Sequence, residues 1–365
     1  MLSKRILRWL ALAGLLVNSA VRLLSGCASI LANRIVTPPN ADGPQTTPST
    51  RAELIERMGL QPGSIETNTG DLAFLKMPAK PMTIGLTAQF ATSRDGVQSA
   101  EIQMTFDPDS TRAPYSTPAG TVISLHGFGL EKESMPGYAS MFADAGFDVY
   151  MVDLPGHGES SGEFITYGLR ESQAIATLIE TLRGQQVAEP LIVFGVSFGA
   201  ATAIRAAAIS KDVDAVLAMQ PFENPLEVIP NFRHRAPAYL RWAISEYTME
   251  KAIAKAERKA GFDFEQARIR PLLDNYDTPT LLMHSAQDLL VPVGQSETLA
   301  TTTAPVSELL VDPDGMGHQS FPVDVGQRCH EMLPWLAETL DIDLLGDPCT
   351  QIVTFDEIRE SDQNI

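Results

Sequence analysis

The sequence predicts an α/β fold, a mostly parallel central sheet flanked by helices and interrupted by a helical cap insertion. Three observations predict it. From Gly120 onward, short apolar β-branched runs alternate with helical patterns, as buried strands joined by crossover helices do. The alternation halts once, over a Pro-punctuated, mostly helical stretch from Gln220 to about Leu272. Finally, the apolar run Leu191-Ile192-Val193-Phe194 passes through Gly195-Val196-Ser197-Phe198-Gly199 into the Ala-rich segment Ala200 to Ala208. A strand meeting a helix there must turn sharply at Ser197, with no room for a Cβ at either flanking glycine. The turn lifts the serine hydroxyl above the positive end of a helix.

Bulk composition narrows the choices. With 365 residues, 44% of them hydrophobic, the chain suits one large domain with an insertion better than two equal domains. A net charge of −18 argues against nucleic-acid binding and against a polybasic membrane patch. The first residues read as targeting sequence. Lys4, Arg5 and Arg8 precede an apolar stretch, Trp9 to Val21, that is short for a bilayer span. Leu24-Ser25-Gly26-Cys27 then resembles a bacterial lipobox, in which Cys27 would carry the lipid after cleavage; Arg22 is unusual so near the cut. An uncleaved signal anchor is the alternative. Either way, membrane tethering on the extracytoplasmic side is expected. Setting Cys27 aside leaves Cys329 and Cys349, expected to pair as a disulfide in an oxidising compartment, with two buried free thiols as the alternative.

The elements follow in order. Residues 1–27 are the signal or lipoprotein segment and 28–60 a tether rich in Pro and Thr, with a short helix over Arg51–Leu60 that Thr50 and Glu53 would cap. The domain proper is expected over 61–345, although 61–80 is ambiguous. Thr83–Phe90 and Gln98–Phe106 alternate like strands around the Asp95-Gly96 turn and read as the opening antiparallel hairpin. Strands are expected at Gly120–Leu125, Phe147–Val152, Leu191–Phe194, Val213–Met219, Thr280–His284 and Glu308–Val311. Helices are expected at Met135–Ala145, Gly168–Leu182, Gly294–Thr301 and Val323–Leu340. The cap spans about 221–272, with a helix over Met249–Ala260 whose charges, Lys251 to Lys259, read as a solvated face. Residues 346–365 read as an acidic tail.

A serine hydroxyl attacks only if its proton leaves, which needs an imidazole oriented by a carboxylate. Ser197, Asp288 and His318 occur in that order, and the last two lie in loops after predicted strands. In a parallel sheet, loops after strands share one edge, so the three can converge. Of six histidines, only His318 follows the final strand within Gly-rich sequence; His126, His157, His234, His284 and His330 lie elsewhere. Glu223, after the preceding strand, is the second candidate for the acid. The backbone N–H of Phe198 and that of Phe128, in His126-Gly127-Phe128-Gly129, are the expected oxyanion donors. One donor from that loop makes crowded tertiary esters poor substrates. No metal-ligand cluster, dinucleotide loop or phosphate loop is visible in the sequence, so no metal or cofactor is expected.

With these residues assembled, the chain resembles the α/β-hydrolase superfamily, most of all its serine-aminopeptidase-like and monoacylglycerol-lipase-like branch. The motifs that carry the resemblance are His126-Gly127-Phe128-Gly129, Asp153-Leu154-Pro155-Gly156-His157-Gly158-Glu159-Ser160, Gly195 to Gly199, Asp288 before Val291-Pro292, and Gly315-Met316-Gly317-His318. It departs at His284-Ser285, where the family usually shows His-Gly. The resemblance implies a serine hydrolase acting on a small acyl substrate, an ester first, with peptidase or amidase activity, or a silent binding protein of this fold, as alternatives.

Overall fold

The computed structural model describes residues 26–357 apart from 83, 93–97, 107–112, 236–243, 304–306, 316, 347 and 351. An eight-stranded sheet runs in the order β1-β2-β6-β5-β7-β8-β9-β10. Its strands are β1 (Gln61–Thr67), β2 (Gly70–Met77), β5 (Gly120–Leu125), β6 (Phe147–Val152), β7 (Leu191–Val196), β8 (Ala215–Met219), β9 (Thr280–Ser285) and β10 (Ser307–Asp312). β1 pairs β2, and β2 pairs β6, antiparallel; every pairing from β6 to β10 is parallel. β5, β7, β8 and β9 are buried along their full length, which is why they read as continuous apolar runs. Their side chains alternate between two cores. Val122, Ile192 and Phe194 join one face, while Ile123, Leu125 and Val193 join the other. The α/β-hydrolase fold predicted from the motifs is the fold observed.

The strand pairings at the sheet edges differ from the sequence expectation, whereas the pairing of Cys329 with Cys349 does not. The opening hairpin is β1–β2, not the 83–106 pair. β1 lies at the sheet edge with mostly exposed or half-exposed residues, so its sequence lacks an apolar alternation. β3 (Ile84–Thr92) and β4 (Gln98–Phe106) instead form a separate three-stranded sheet. Its third strand, β11 (Ile352–Glu357), comes from the segment read as an acidic tail and pairs parallel to β3. The Asp95-Gly96 turn lies outside the described residues. Cys329 and Cys349 are bonded to each other, joining the helix Val325–Leu340 to the segment that leads into β11.

The segment read as a tether is also structured. Residues 26–36 form a helix, α1, which buries Ala28, Ala32, Ile35 and Val36 in the core. These positions follow the i, i+4, i+7, i+8 spacing of one helical face, but two alanines make that stripe weak in apolar signal. The second helix, α2 (Pro48–Met58), starts earlier than expected: Thr47, not Thr50, caps it, and Gly59 closes it with a left-handed backbone.

Among the described residues, the cap insertion holds a one-turn helix, Pro225–Val228, a longer helix, Glu246–Ala260, that Ser245 caps, and 3-10 segments at Ile229–Arg235, Phe264–Ala267 and Arg270–Leu272. Its helix is not a purely solvated face. Met249, Ala252, Ala256 and Ala260 pack into the core, while Lys255 and Lys259 bond Ser29 and Asn33 of α1. After α3 (Pro136–Asp144) and α4 (Glu171–Gly184) comes α5 (Phe198–Ser210), which holds the return path of the cap from below: its Arg205 donates to the carbonyls of Gly168, Gln266 and Arg268.

Candidate active site

The site begins with the turn at Ser197. Its backbone adopts φ 53°, ψ −109°, a strained conformation between β7 and α5. Two glycines permit it. A Cβ on Gly195 would sit 2.4 Å from the backbone of Gly199, and one on Gly199 would sit 2.3 Å from the Leu125 carbonyl oxygen. The helix start therefore meets backbone on two sides, that of β7 at Gly195 and that of the end of β5 at Gly199. The Ser197 N–H donates to Met219 at 2.7 Å, tying the turn to β8.

His318 and Asp288 reach the same place from other sheet ends. His318 Nε2 lies 2.8 Å from Ser197 Oγ, and its Nδ1 lies 2.5 Å from Asp288 Oδ2. A carboxylate beside Nδ1 holds the proton there and leaves Nε2 free to accept from the hydroxyl. Asp288 follows β9 and is almost fully buried, yet its carboxylate is well served. Oδ1 accepts from the N–H groups of Leu290 and Val291 at 2.9 and 2.8 Å; Oδ2 also accepts from the Gln220 amide at 2.8 Å. Burial opposes the charge, but hydrogen bonds from the imidazoles and the Val291 N–H outweigh it and hold the carboxyl down at about 2. Glu223 does not compete. Its carboxylate faces Arg268 and the N–H of Arg270, on the cap side.

Gln220 is a site residue that the sequence does not reveal. It is buried at the end of β8, with φ 52°, and its N–H is held by the Met283 carbonyl. A glutamine after a strand carries no signature; only the sheet order brings it to Asp288. His284 is likewise committed to structure, lying 2.7 Å from Ser296 Oγ and 2.8 Å from the Val291 carbonyl. That lattice pins the loop that presents Asp288. The departure at Ser285 is matched by Gly315, where a Cβ would meet Ser285 Oγ at 2.9 Å.

The opposite wall is the loop after β5. A Cβ on Gly127 would be 3.9 Å from that of Ser197, so the backbone leading to Phe128 runs beside that serine. Two buried imidazoles hold this loop. His126 Nε2 accepts from Leu154 N–H at 3.0 Å with its Nδ1 on the Gly127 carbonyl, and His157 Nε2 accepts from Gly129 N–H at 3.2 Å. Burial depresses both, to about 4 for His126 and about 3 for His157, so each is neutral at ordinary pH. Beneath the loop, buried Lys132 bridges Asp153 at 2.6 Å, Glu159 at 3.0 Å and Glu133 at 3.3 Å, and Arg51 of α2 meets Glu133 and Glu159 from outside. The cap closes the apolar side. Phe232 meets Phe128 edge-on at 5.9 Å, and the Asn231 amide donates to the Leu290 carbonyl at 3.0 Å.

A sheet of this order, with a serine on a strained strand-to-helix turn facing an imidazole and a carboxylate, defines a hydrolase-type site. The chain belongs to the α/β hydrolase family, whose model matches residues 122–339. It is 26% identical over 193 residues to the uncharacterized protein YqkD of Bacillus subtilis, covering 51% of this chain and 61% of that one. It thus spans about three-fifths of that relative. It is also 26% identical over 232 residues to the uncharacterized protein YfhR of Escherichia coli O157:H7, covering 63% of this chain and 72% of the relative. Among solved structures it resembles the Pyrococcus furiosus esterase Pf2001, with a TM-score of 0.57 at 18% identity, over 84% of this chain and 97% of that one. The α/β hydrolase GrgF from a Penicillium species gives a TM-score of 0.54 at 16% identity, over 77% and 99% of the two chains. At such identities the structural likeness speaks for the fold.

Proposed function

We propose that this chain is a serine hydrolase that cleaves a carboxylic ester, or a related acyl bond, through an acyl-enzyme on Ser197. The observation that carries the reading is the hydrogen-bonded line from Ser197 Oγ through His318 to Asp288. In the reaction, Oγ attacks the acyl carbonyl as its proton passes to His318 Nε2. Asp288 stays ionised and steadies the imidazolium. The oxyanion that forms takes the N–H of Phe198, at the start of α5, and the N–H of Phe128. His318 then returns the proton to the departing alcohol, and water releases the acyl group by the same steps in reverse. The apolar pair Phe128 and Phe232 beside the loop suits an acyl chain. The name esterase borne by the Pyrococcus furiosus protein favours an ester over an amide.

The lipobox-like sequence supports a membrane-tethered, extracytoplasmic enzyme lipidated at Cys27, which would meet lipid-derived or short-acyl esters. The functional test is fluorophosphonate labelling with a panel of p-nitrophenyl esters of graded chain length beside aminoacyl anilides. Labelling that is lost in Ser197→Ala, with ester turnover, is the expected result. An unlabelled protein at neutral pH would make it a silent binder, and faster anilide cleavage would make it a peptidase.

A further inference from the structure

The family match begins at residue 122, yet the segment 26–46 runs across three walls of the site. At one end, Ser29 and Asn33 of α1 bond Lys255 and Lys259 of the cap helix. In the middle, the Ile35 carbonyl accepts from Tyr167 Oη at 2.9 Å and the Val36 carbonyl from Ile165 N–H at 2.9 Å. Tyr167 in turn packs edge-on against Phe198, next to the nucleophile. At the far end the segment grips the loop that carries Phe128. Pro39 lies against Gly129, where a Cβ would come within 2.9 Å of its ring. The Asn40 amide donates to the Leu130 carbonyl at 2.7 Å. The Glu131 carboxylate accepts from Gln45 and Thr46 N–H, at 2.8 and 2.7 Å.

We propose that Asn40 and Glu131 are positioning residues, through which this N-terminal strap sets the direction of the Phe128 N–H toward the oxyanion. The inference rests on the acyl-enzyme reading above. Three features support it. Phe128 is two residues before Leu130 and three before Glu131, so the strap fixes the loop just beyond the donor. His157 holds Gly129 N–H from the protein side at 3.2 Å, so the strap supplies the outer half of the clamp. Asn40 is 1% exposed, and its side-chain oxygen has no partner among the described residues. An unpaired buried oxygen costs stability, and the side chain is nevertheless placed so that its amide meets Leu130.

Donor placement matters because an oxyanion hydrogen bond acts only when aimed at the oxygen of the tetrahedral intermediate. A loop that drifts by a fraction of an ångström weakens that bond while substrate still enters. The strap therefore acts on kcat and leaves KM nearly untouched.

The test uses the full chain and the substitutions Asn40→Leu, Asn40→Ala, Glu131→Gln and Glu131→Ala, with a soluble p-nitrophenyl ester well below each variant's melting temperature. Asn40→Leu keeps the volume and removes the donor without burying a charge, so it stands in if an alanine variant fails to fold. We expect kcat to fall about ten-fold or more in Asn40→Leu with KM within about three-fold. Glu131→Gln keeps one acceptor oxygen and should fall between the parent and Glu131→Ala. Inhibition by a trifluoromethyl ketone, whose adduct bears the oxyanion, should weaken in proportion to kcat across the series. Variants that melt earlier but keep the parent's kcat and inhibitor affinity would overturn the proposal and leave the strap a packing element. A parent enzyme that fluorophosphonate does not label would overturn the acyl-enzyme reading instead.

Discussion

Four donors lie within 3 Å of the Asp288 carboxylate oxygens and favour its charged form. With that carboxyl held at about 2, it stays ionised wherever an enzyme of this kind is assayed. Gln220→Leu, which removes one donor of the four, should leave the carboxylate ionised and lower kcat/KM for a p-nitrophenyl ester only slightly at neutral pH. Asp288→Asn keeps the shape but presents an amide where Nδ1 needs an acceptor. It should lower kcat by about 10⁴ with the fold intact, as read with a p-nitrophenyl ester and by circular dichroism. The two loop imidazoles predict an acid weakness. His126 and His157 are neutral in the folded chain, at about 4 and about 3, whereas an unfolded histidine titrates near 6.5. Below that value the unfolded chain binds more protons, so their stabilisation is complete above about 6.5 and is lost as pH falls toward 4 and then 3. Two such groups give a slope of at most about 2.7 kcal/mol per pH unit. Urea unfolding between pH 7 and 4.5 should show that decline, and His157→Gln should roughly halve the part these two contribute.

Strand-to-helix junctions and chain ends make their own demands. At β7–α5 a single methyl group is excluded by backbone on both sides of Ser197. Gly199→Ala should therefore destabilise the protein by about 3 kcal/mol or more and abolish labelling of Ser197, because the clash displaces the turn that presents the hydroxyl. Denaturation midpoint and probe labelling of the same sample check both. At the other end, the Cys329–Cys349 bond closes a separation of 20 residues between the helix Val325–Leu340 and the segment leading to β11. Loop closure of that length is worth roughly 3 kcal/mol in an unfolded chain. Cys349→Ser should lose up to that amount in urea unfolding while keeping kcat, since neither cysteine lies among the residues at Ser197. Titration of unreduced, unfolded, non-lipidated protein should find one thiol, Cys27; three would mean that the bridge does not form.

At the scale of the molecule, the segment that follows Cys27 is packed directly against the walls of the site. α1, described over residues 26–36, contains Cys27 and is packed on the cap helix. If Cys27 carries lipid, the cap and the Phe128 loop are held close to the bilayer. Cys27→Ser should abolish incorporation of a labelled fatty acid and leave turnover of a soluble ester unchanged in detergent. Retained fatty-acid labelling would place the lipid elsewhere.

What the sequence by itself determined is the fold and the residues that the fold gathers at Ser197. Gly195-Val196-Ser197-Phe198-Gly199, Asp288 and His318 were legible because a strained turn and a hydrogen-bonded Ser–His–Asp line each need particular residue types at particular strand ends. The buried strands β5 to β9 were legible because burial on both faces leaves an unbroken apolar run. The tertiary structure alone decided how the edges are built and what braces the site. β1 is half solvated, so its pattern is faint; β3 and β4 keep a strand pattern in either sheet, and only contact with β11 shows which they join. Gln220, Asn40 and Glu131 act through ordinary amide and carboxylate hydrogen bonds to backbone or to a distant carboxylate. Such bonds are available to any polar side chain, so their meaning comes from which loops the fold brings within 3 Å, and no local pattern records that.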